Sequence, residues 1–223
     1  HNQQAIRGGV PVCWPWFGPP ASRLNPASQA LPNHGLVRNR LWQVLSTEVT
    51  PAAVSIALFI DVKNLPYSPG TVRLQLHLRL THAQLQLSLT CDSDLPQQAA
   101  LHSYFRVTDI TQARVKPLPE LFFDKVSGIE QRSNDDILRI SAETDRVYHQ
   151  PANCIQLQCL AQQLTISHSG QDSAIVWNPW QQKSRELPDM ADHGYREFIC
   201  IESARLNLEC RAPLKLTLCI AKA

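Results

Sequence analysis

Four short segments combine aromatic, cationic and acid–base side chains in a way that strand formation alone does not require. The first segment spans residues 6–19, begins with Ile6 and Arg7, and continues with Trp14 and Trp16 among prolines. This composition predicts a rigid aromatic loop with a cation at its entrance. The alternative is a hydrophobic plug that seals one end of a sandwich, with Arg7 on its rim.

The second segment, residues 31–42, contains His34 directly before a glycine and Arg38 four residues later. Because glycine adopts conformations closed to other residues, the chain can turn sharply here and direct the imidazole into a cavity. The forked guanidinium of Arg38 suits a phosphate or carboxylate. The alternative is a surface turn with solvated arginines.

The third and fourth segments contain a candidate acid and a candidate base. His102 stands among large apolar residues on a predicted strand, as a core histidine or as a catalytic one. Glu202 ends an apolar run that predicts a strand buried on both faces. A buried carboxylate needs a partner, and burial raises its pKa above the ordinary value of about 4.3. A glutamate exposed at a strand end is the alternative.

Common catalytic signatures are missing from the sequence. It contains no glycine-rich phosphate loop, no H-E-x-x-H, no G-x-S-x-G and no zinc-type cysteine spacing. With only 8 glycines, the chain must hold any anion through side chains.

Composition excludes several further classes. The 223 residues carry a net charge of +2 without a run of like charges, so neither nucleic acid nor a membrane is an expected partner. No stretch approaches the roughly 18 apolar residues of a membrane-spanning helix. The 7 cysteines form no C-x-x-C pair, which favours free thiols in a reducing, cytoplasmic compartment.

Apolar residues alternate with polar ones over residues 54–62, 72–80 and 85–89, with a turn at 81–83. This period of two predicts half-buried antiparallel strands in an all-β sandwich or barrel. Helical periodicity is weak throughout, and the best short helix candidate lies near Pro188–Asp192. Without repeats or linkers, residues 1–223 are expected to form one domain.

Taken together, the motifs resemble the D-hexose-6-phosphate mutarotases, or glucose-6-phosphate 1-epimerases, of the aldose 1-epimerase superfamily. The resemblance rests on I-R-G-G-V-P-V-C-W-P-W-F-G-P, H-G-L-V-R-N-R-L-W, L-H-S-Y-F and C-I-E-S, which occur in the family's order. F-D-K at 123–125, V-W-N-P at 176–179 and Asp189-Met190 before Gly194-Tyr195 also match.

The resemblance implies a galactose-mutarotase-like β-supersandwich of antiparallel strands with few short helices. Family members begin with several strands before the R-G-G segment, and these are absent from a chain that starts at His1. The expected domain is therefore truncated at its N-terminus relative to the family.

The implied activity is the interconversion of hexose-6-phosphate anomers, with Glu202 as general base and His102 as general acid. Arg7 and Arg38 are implied to hold the 6-phosphate. The implied substrate-binding set is Arg7, Asn33, His34, Arg38 and Asp124, although Asn33 stands where some relatives have Gln or a small residue. No cofactor or metal is implied; the expected partner is a small sugar phosphate, and a monomer is expected.

Two other functions fit the same residues. One is a non-catalytic carbohydrate-binding sandwich, which would need no acid–base pair. The other is a metal enzyme in which His34, His102 and Glu202 form a set of two histidines and one carboxylate.

Overall fold

The chain folds into two antiparallel β-sheets that pack face to face, as described by a computed structural model covering residues 7–160 and 162–222. Residues 1–6, which include Ile6 of the first segment, and residues 161 and 223 lie outside this description. In chain order the strands are β1 (Val12–Cys13), β2 (Gln43–Val49), β3 (Val54–Leu65), β4 (Ser68–Leu80), β5 (Gln84–Cys91), β6 (Ala99–Leu101), β7 (Tyr104–Arg106), β8 (Arg114–Lys116), β9 (Leu121–Asp124), β10 (Ile129–Arg132), β11 (Leu138–Arg139), β12 (Thr144–His149), β13 (Cys154–Cys159), β14 (Gln162–Ser169), β15 (Ser173–Asn178), β16 (Phe198–Arg205) and β17 (Leu214–Lys222).

One sheet has eight strands, in the order β1-β6-β16-β15-β12-β9-β10, with β7 also paired to β16. The other has nine strands, in the order β11-β8-β13-β14-β17-β5-β4-β3-β2. The predicted alternating runs form β3, β4 and β5, and the predicted turn at 81–83 joins the last two. The all-β, antiparallel prediction is confirmed.

The main core lies between the sheets. Ile199 and Ile201 of β16 and Leu216 and Leu218 of β17 are at most 1% exposed there. Successive side chains of a strand alternate between the faces of its sheet. Cys200 and Glu202 therefore point to the opposite face of the eight-stranded sheet.

That second face of β16 is also covered. A smaller apolar cluster on it includes Cys13, Val147 and Ile175, against which Phe17 packs. The strand is consequently buried on both faces from Ile199 to Arg205, which confirms the burial predicted from its apolar run.

The only α-helix among the described residues is α1 (Trp180–Glu186). The prediction of a short helix near Pro188–Asp192 is therefore wrong. The backbone N–H of Trp180 donates to the side chain of Asn178 at 2.9 Å, which helps to start the helix. With seven residues, α1 is too short to show a periodic apolar stripe. Short 3₁₀ helices span Ser22–Leu24, Ile110–Gln112 and Gly194–Glu197.

Within the described ranges, no helix is long and apolar enough to cross a membrane. All seven cysteines are free thiols, and Cys13, Cys154, Cys200 and Cys219 lie in strands. Cys13 and Cys200 are buried, whereas Cys154 is exposed and does not act as a core residue.

Candidate active site

Backbone hydrogen bonds bring the four segments together over the second face of the eight-stranded sheet. In the first segment, the carbonyl of Pro11 accepts from the N–H of His102 at 3.0 Å. The carbonyl of Trp14 accepts from the N–H of Leu36 in the second segment at 2.7 Å. The third segment joins the fourth where Ile201 donates its N–H to the carbonyl of Ser103 at 3.2 Å. Residues distant in sequence thus line one site.

His102 lies directly across from Glu202. On one side, Leu101 of β6 pairs with Ser203; on the other, Tyr104 of β7 pairs with Cys200. Both pairs belong to the same register, which sets His102 opposite Glu202. Residues opposite each other in an antiparallel pair share a face and have neighbouring Cβ atoms.

The side chains of this opposed pair meet. His102 Nε2 lies 3.2 Å from Glu202 Oε1, and the two side chains are 9% and 1% exposed. Within the described residues, His102 Nδ1 and Glu202 Oε2 are buried without a hydrogen-bond partner. The histidine is therefore not a core residue with both nitrogens satisfied. Unpaired buried polar atoms are costly, and they mark sites where a ligand can supply the missing partners.

Burial raises the pKa of Glu202 well above its usual value, as its predicted position on a buried strand implies. The negative charge of Asp145 raises the pKa further, and the positive charge of Lys125 opposes the rise. Burial and the neighbouring His34 lower the pKa of His102 to about 3. When the pair holds a single proton, these shifts favour the carboxyl of Glu202 over the imidazole as its site, and a shift across 3.2 Å would give a carboxylate beside an imidazolium.

His34 approaches the pair from the second segment. Its backbone has φ +65°, an uncommon conformation for a non-glycine residue, and Gly35 follows with φ +84°. The N–H of Gly18 donates to His34 Nδ1 at 3.3 Å, so the imidazole proton is on Nε2. Burial lowers the pKa of His34 to about 4, and its ring centre is 5.6 Å from that of His102. His34 is thus a neutral donor beside the pair.

A cleft of about 300 Å³ opens above His102, and Arg7, Arg38, Tyr104 and Asp189 also line it. Arg38 is exposed and forms no salt bridge with a described residue. Arg7 instead binds Asp189 through two hydrogen bonds, of 3.0 Å and 2.9 Å, and its guanidinium lies 5.8 Å from the centre of the Trp177 ring. The two predicted arginines therefore share one cleft, and one already has an acidic partner.

Asp124 is not brought to this group. Asp124 on β9 pairs with Arg146 on β12, and Arg146 pairs with Val176 on β15. Val176 in turn pairs with Ile201 on β16, whose side chain lies in the core between the sheets. Its row of residues thus lies on the face away from Glu202. Its carboxylate accepts hydrogen bonds from the turn that follows and from the side chain of Gln131.

Asp145, which the sequence motifs did not single out, lies on the face of Glu202. It pairs with Trp177, which pairs with Cys200, two residues before Glu202 on the same strand. Its carboxylate forms a 3.0 Å salt bridge with Lys125. Asp145 lies two residues before Val147, so both side chains point to the same face of β12. The sequence could have identified Asp145 as a site residue only if the face of β12 that looks toward Glu202 had been known.

The remaining predicted residues have simpler surroundings. Asn33 is exposed in the turn before His34. Trp14 and Trp16 are at most 1% exposed, and their indole N–H groups donate to Gln97 Oε1 and to the carbonyl of Pro32. Both tryptophans are therefore buried core residues that support the loop of the first segment.

Tyr104, Trp177 and Lys125 complete the aromatic and cationic surroundings, and none was predicted to take part. The Tyr104 ring stacks on His102 at 5.0 Å, and Trp177 meets His102 edge-on at 6.2 Å. Tyr104 follows His102 by two residues on the same face, a signal available from strand alternation. In the described part of the chain, no group of three or more His, Cys, Asp or Glu is arranged to hold a metal ion.

The chain is similar to known proteins over most of its length. Residues 2–212 match the family model for aldose 1-epimerase. A protein of Escherichia coli (strain K12), provisionally named glucose-6-phosphate 1-epimerase, is 35% identical over 212 residues, which cover 91% of this chain and 68% of that protein. A protein of Haemophilus influenzae with the same provisional name is 32% identical over 92% of this chain and 70% of its own length.

A solved structure shares the architecture. The crystal structure of a provisionally named mutarotase from Salmonella typhimurium superposes with a TM-score of 0.89 at 30% identity. The match covers 100% of this chain and 76% of the other. The mutarotase-like sandwich expected from the sequence motifs is confirmed.

Proposed function

Because the chain belongs to the aldose 1-epimerase family, we propose that it interconverts the α and β anomers of glucose 6-phosphate and related aldohexose 6-phosphates. It is an isomerase of the epimerase type. The observation that carries the proposal is the 3.2 Å pair of His102 and Glu202 beneath a cleft lined by two arginines.

The proposed reaction moves two protons at one carbon. The carboxylate of Glu202 takes the proton of the C1 hydroxyl, and protonated His102 gives a proton to the ring oxygen, so the C1–O5 bond breaks and an aldehyde forms. Rotation about C1–C2 and closure from the other face give the opposite anomer, with the two groups exchanging roles. Both oxygens are attached to C1, so an acid and a base in direct contact suit them.

The pair begins and ends with the same number of protons. When the pair holds one proton, the raised pKa of Glu202 and the lowered pKa of His102 favour the carboxyl as its site; transfer to His102 gives the base and the acid that ring opening needs. The anomeric hydroxyl and the ring oxygen would replace the direct contact between the two side chains. They would also supply partners for the buried atoms that lack them.

The 6-phosphate is proposed to lie beside His102. Carbon C6 is attached to C5, which bears the ring oxygen, so the phosphate extends from the side of the sugar that the acid contacts. Arg7 and Arg38 line the same cleft as His102. Arg38 has no acidic partner among the described residues, so we assign it the larger share of phosphate binding.

The sugar hydroxyls are proposed to contact neutral His34, through Nε2–H, and the carboxylate of Asp145. Asp145 takes the role that the family resemblance suggested for Asp124, because Asp145 shares the face of Glu202. Asn33 remains a candidate contact at the rim of the site. The free thiols of the described chain support a further proposal, that the enzyme works in the cytoplasm.

A non-catalytic carbohydrate-binding sandwich is less well supported. Sugar binding alone does not require a buried glutamate that has a raised pKa and contacts a histidine. These costly features are typical of catalytic sites.

Comparison of two substrates tests the proposal. Anomer exchange is measured by NMR or polarimetry on glucose 6-phosphate and on glucose, after subtraction of the spontaneous rate. Each charge-assisted hydrogen bond contributes roughly 1.5–3 kcal/mol, so kcat/KM for the phosphate ester should be higher by at least ~10²-fold. Equal values would show that the arginines are structural and that the protein is an ordinary aldose epimerase.

A further inference from the structure

Asp189 binds one edge of Arg7 and leaves the other edge of the guanidinium open. Arg7 Nε donates to Asp189 Oδ2 at 3.0 Å, and Arg7 Nη2 donates to Asp189 Oδ1 at 2.9 Å. Among the described residues, Nη1 donates no side-chain hydrogen bond, although the hydroxyl of Tyr104 lies close enough to Arg7 to help raise its pKa. A guanidinium has five N–H donors in a fixed fork, so the Nη1/Nη2 edge can still bind an anion with two hydrogen bonds.

The turn that carries Asp189 is itself anchored. The hydroxyl of Ser184, buried in α1, donates to Met190 Sδ at 3.1 Å, and the N–H of Met190 donates to the carbonyl of Leu187 at 3.1 Å. A side chain at Gly194 would approach Met190 Cγ to 3.0 Å, which shows how closely the chain packs here. Asp189 is therefore presented from a supported turn.

The Arg7–Asp189 pair also separates two spaces. On one side is the cleft above His102; on the other is a second cavity of about 440 Å³, for which Met190 and Phe198 form part of the wall. Without Asp189, the guanidinium could turn into the second cavity. The pair is partly exposed, at 26% and 31%, and such an ion pair contributes little to stability by itself.

We propose that Asp189 is a positioning residue that determines specificity for phosphorylated sugars by holding Arg7 with its Nη1/Nη2 edge toward the substrate phosphate. This inference rests on the proposed function. Asp189 does not contact the reacting atoms, so its effect should appear in KM for the phosphate ester more than in kcat. Because Asp189 already holds the Arg7 side chain in place, substrate binding does not lose the conformational entropy of ordering that side chain.

The test compares Asp189→Asn with Asp192→Asn. Asp192 is exposed in the same turn and forms no salt bridge with a described residue, so its variant removes the same charge at a nearby position without freeing Arg7. We expect KM for glucose 6-phosphate to rise about tenfold in Asp189→Asn, the factor for roughly one weakened charged hydrogen bond, and to change less than twofold in Asp192→Asn. Asp189→Glu, which keeps the charged acceptor, should recover part of the loss.

A second measurement uses inorganic phosphate as a competitive inhibitor. Its inhibition constant should rise in Asp189→Asn by a factor similar to that of KM, and circular dichroism with thermal unfolding confirms that each variant is folded. An unchanged or lower KM for glucose 6-phosphate in Asp189→Asn overturns the proposal, because a lower value means that Asp189 competes with the phosphate.

Failure of this inference is distinguishable from failure of the proposed function. If wild-type protein does not prefer glucose 6-phosphate over glucose, the phosphate assignment itself is wrong. If the preference exists and depends on Arg38 but not on Asp189, only the positioning role is wrong.

Discussion

His102 and Glu202 occupy opposite positions in the register that joins β6 and β7 to β16, and their side chains are 3.2 Å apart. The strand path is interrupted at His102 and Ser103, but the same register resumes at Tyr104. The sheet itself thus holds the two groups together, with little freedom for either to move. Preorganisation of this kind is what an acid and a base acting at one carbon require.

Removal of either member of this pair should slow catalysis strongly without unfolding the protein. A positioned acid or base contributes about 10²- to 10⁴-fold, so His102→Ala and Glu202→Gln should each slow anomer exchange by that range. NMR exchange or polarimetry measures the rate, and His82→Ala and Glu130→Gln, at exposed positions, serve as controls. A loss of less than about tenfold in either variant would remove that residue from the mechanism.

The pH profile should reflect the pair as a unit. The working form holds one shared proton, so activity falls when pH rises through the raised pKa of Glu202 and when pH falls through the pKa of His102, lowered to about 3. We therefore expect the acid limb to lie well below pH 6.5, where an ordinary histidine titrates. The profile is recorded with glucose as well, because the substrate phosphate titrates near pH 6. An acid limb near pH 6.5 with glucose would contradict the assignment.

The two aspartates give a matched comparison. Asp145→Asn removes a negative charge that raises the pKa of Glu202, so the alkaline limb of the pH profile should move to lower pH. Asp124→Asn should leave that limb in place, because its carboxylate lies on the other face and caps a turn. A shift caused by Asp124→Asn alone would restore the role suggested by the sequence motifs.

This comparison also shows what the sequence could and could not predict. Strict alternation located β3, β4 and β5, and the apolar run before Glu202 predicted burial on both faces. Which face of β9 and β12 looks into the cleft depends on register, and a slip of one residue exchanges the faces. Asp124 and Asp145 are both acidic residues on strands, so only the pairing partners distinguish them.

Contacts between residues far apart in the sequence could not be predicted either. The link between Arg7 and Asp189 joins positions 182 residues apart, and no local pattern specifies it. The family resemblance implied that both arginines hold the phosphate, and no sequence motif indicated that Arg7 also pairs with Asp189. Local chemistry could therefore identify the candidate groups, while tertiary packing decided which of them meet.

Arg38 should discriminate between substrates, and Arg40 provides its control in the same exposed turn. Arg38→Ala removes a partner that only the phosphate uses, so the ratio of kcat/KM for glucose 6-phosphate to that for glucose should fall at least tenfold. Arg40→Ala should change the ratio less than twofold. If Arg38→Ala reduces both activities equally, Arg38 supports the turn of His34 instead.

The last prediction concerns the turn that presents His34. Gly35 has φ +84°, and a Cβ atom there would lie 2.0 Å from the carbonyl oxygen of Trp14. That carbonyl accepts the N–H of Leu36 at 2.7 Å, so Gly35→Ala must displace the contact that joins the first two segments. Gly128 has a similar φ of +75°, and a Cβ atom there would meet no other described atom within 4 Å, so Gly128→Ala incurs only the left-handed backbone cost of about 1–2 kcal/mol.

Both variants should lower the free energy of unfolding measured with denaturant, and Gly35→Ala should lower it further because of the backbone collision. It should also reduce anomer exchange, since the displaced turn carries a histidine that faces the catalytic pair. Equal stability and equal activity of the two variants would mean that the loop relaxes freely. In that case, the close approach of Gly35 to Trp14 does not position His34.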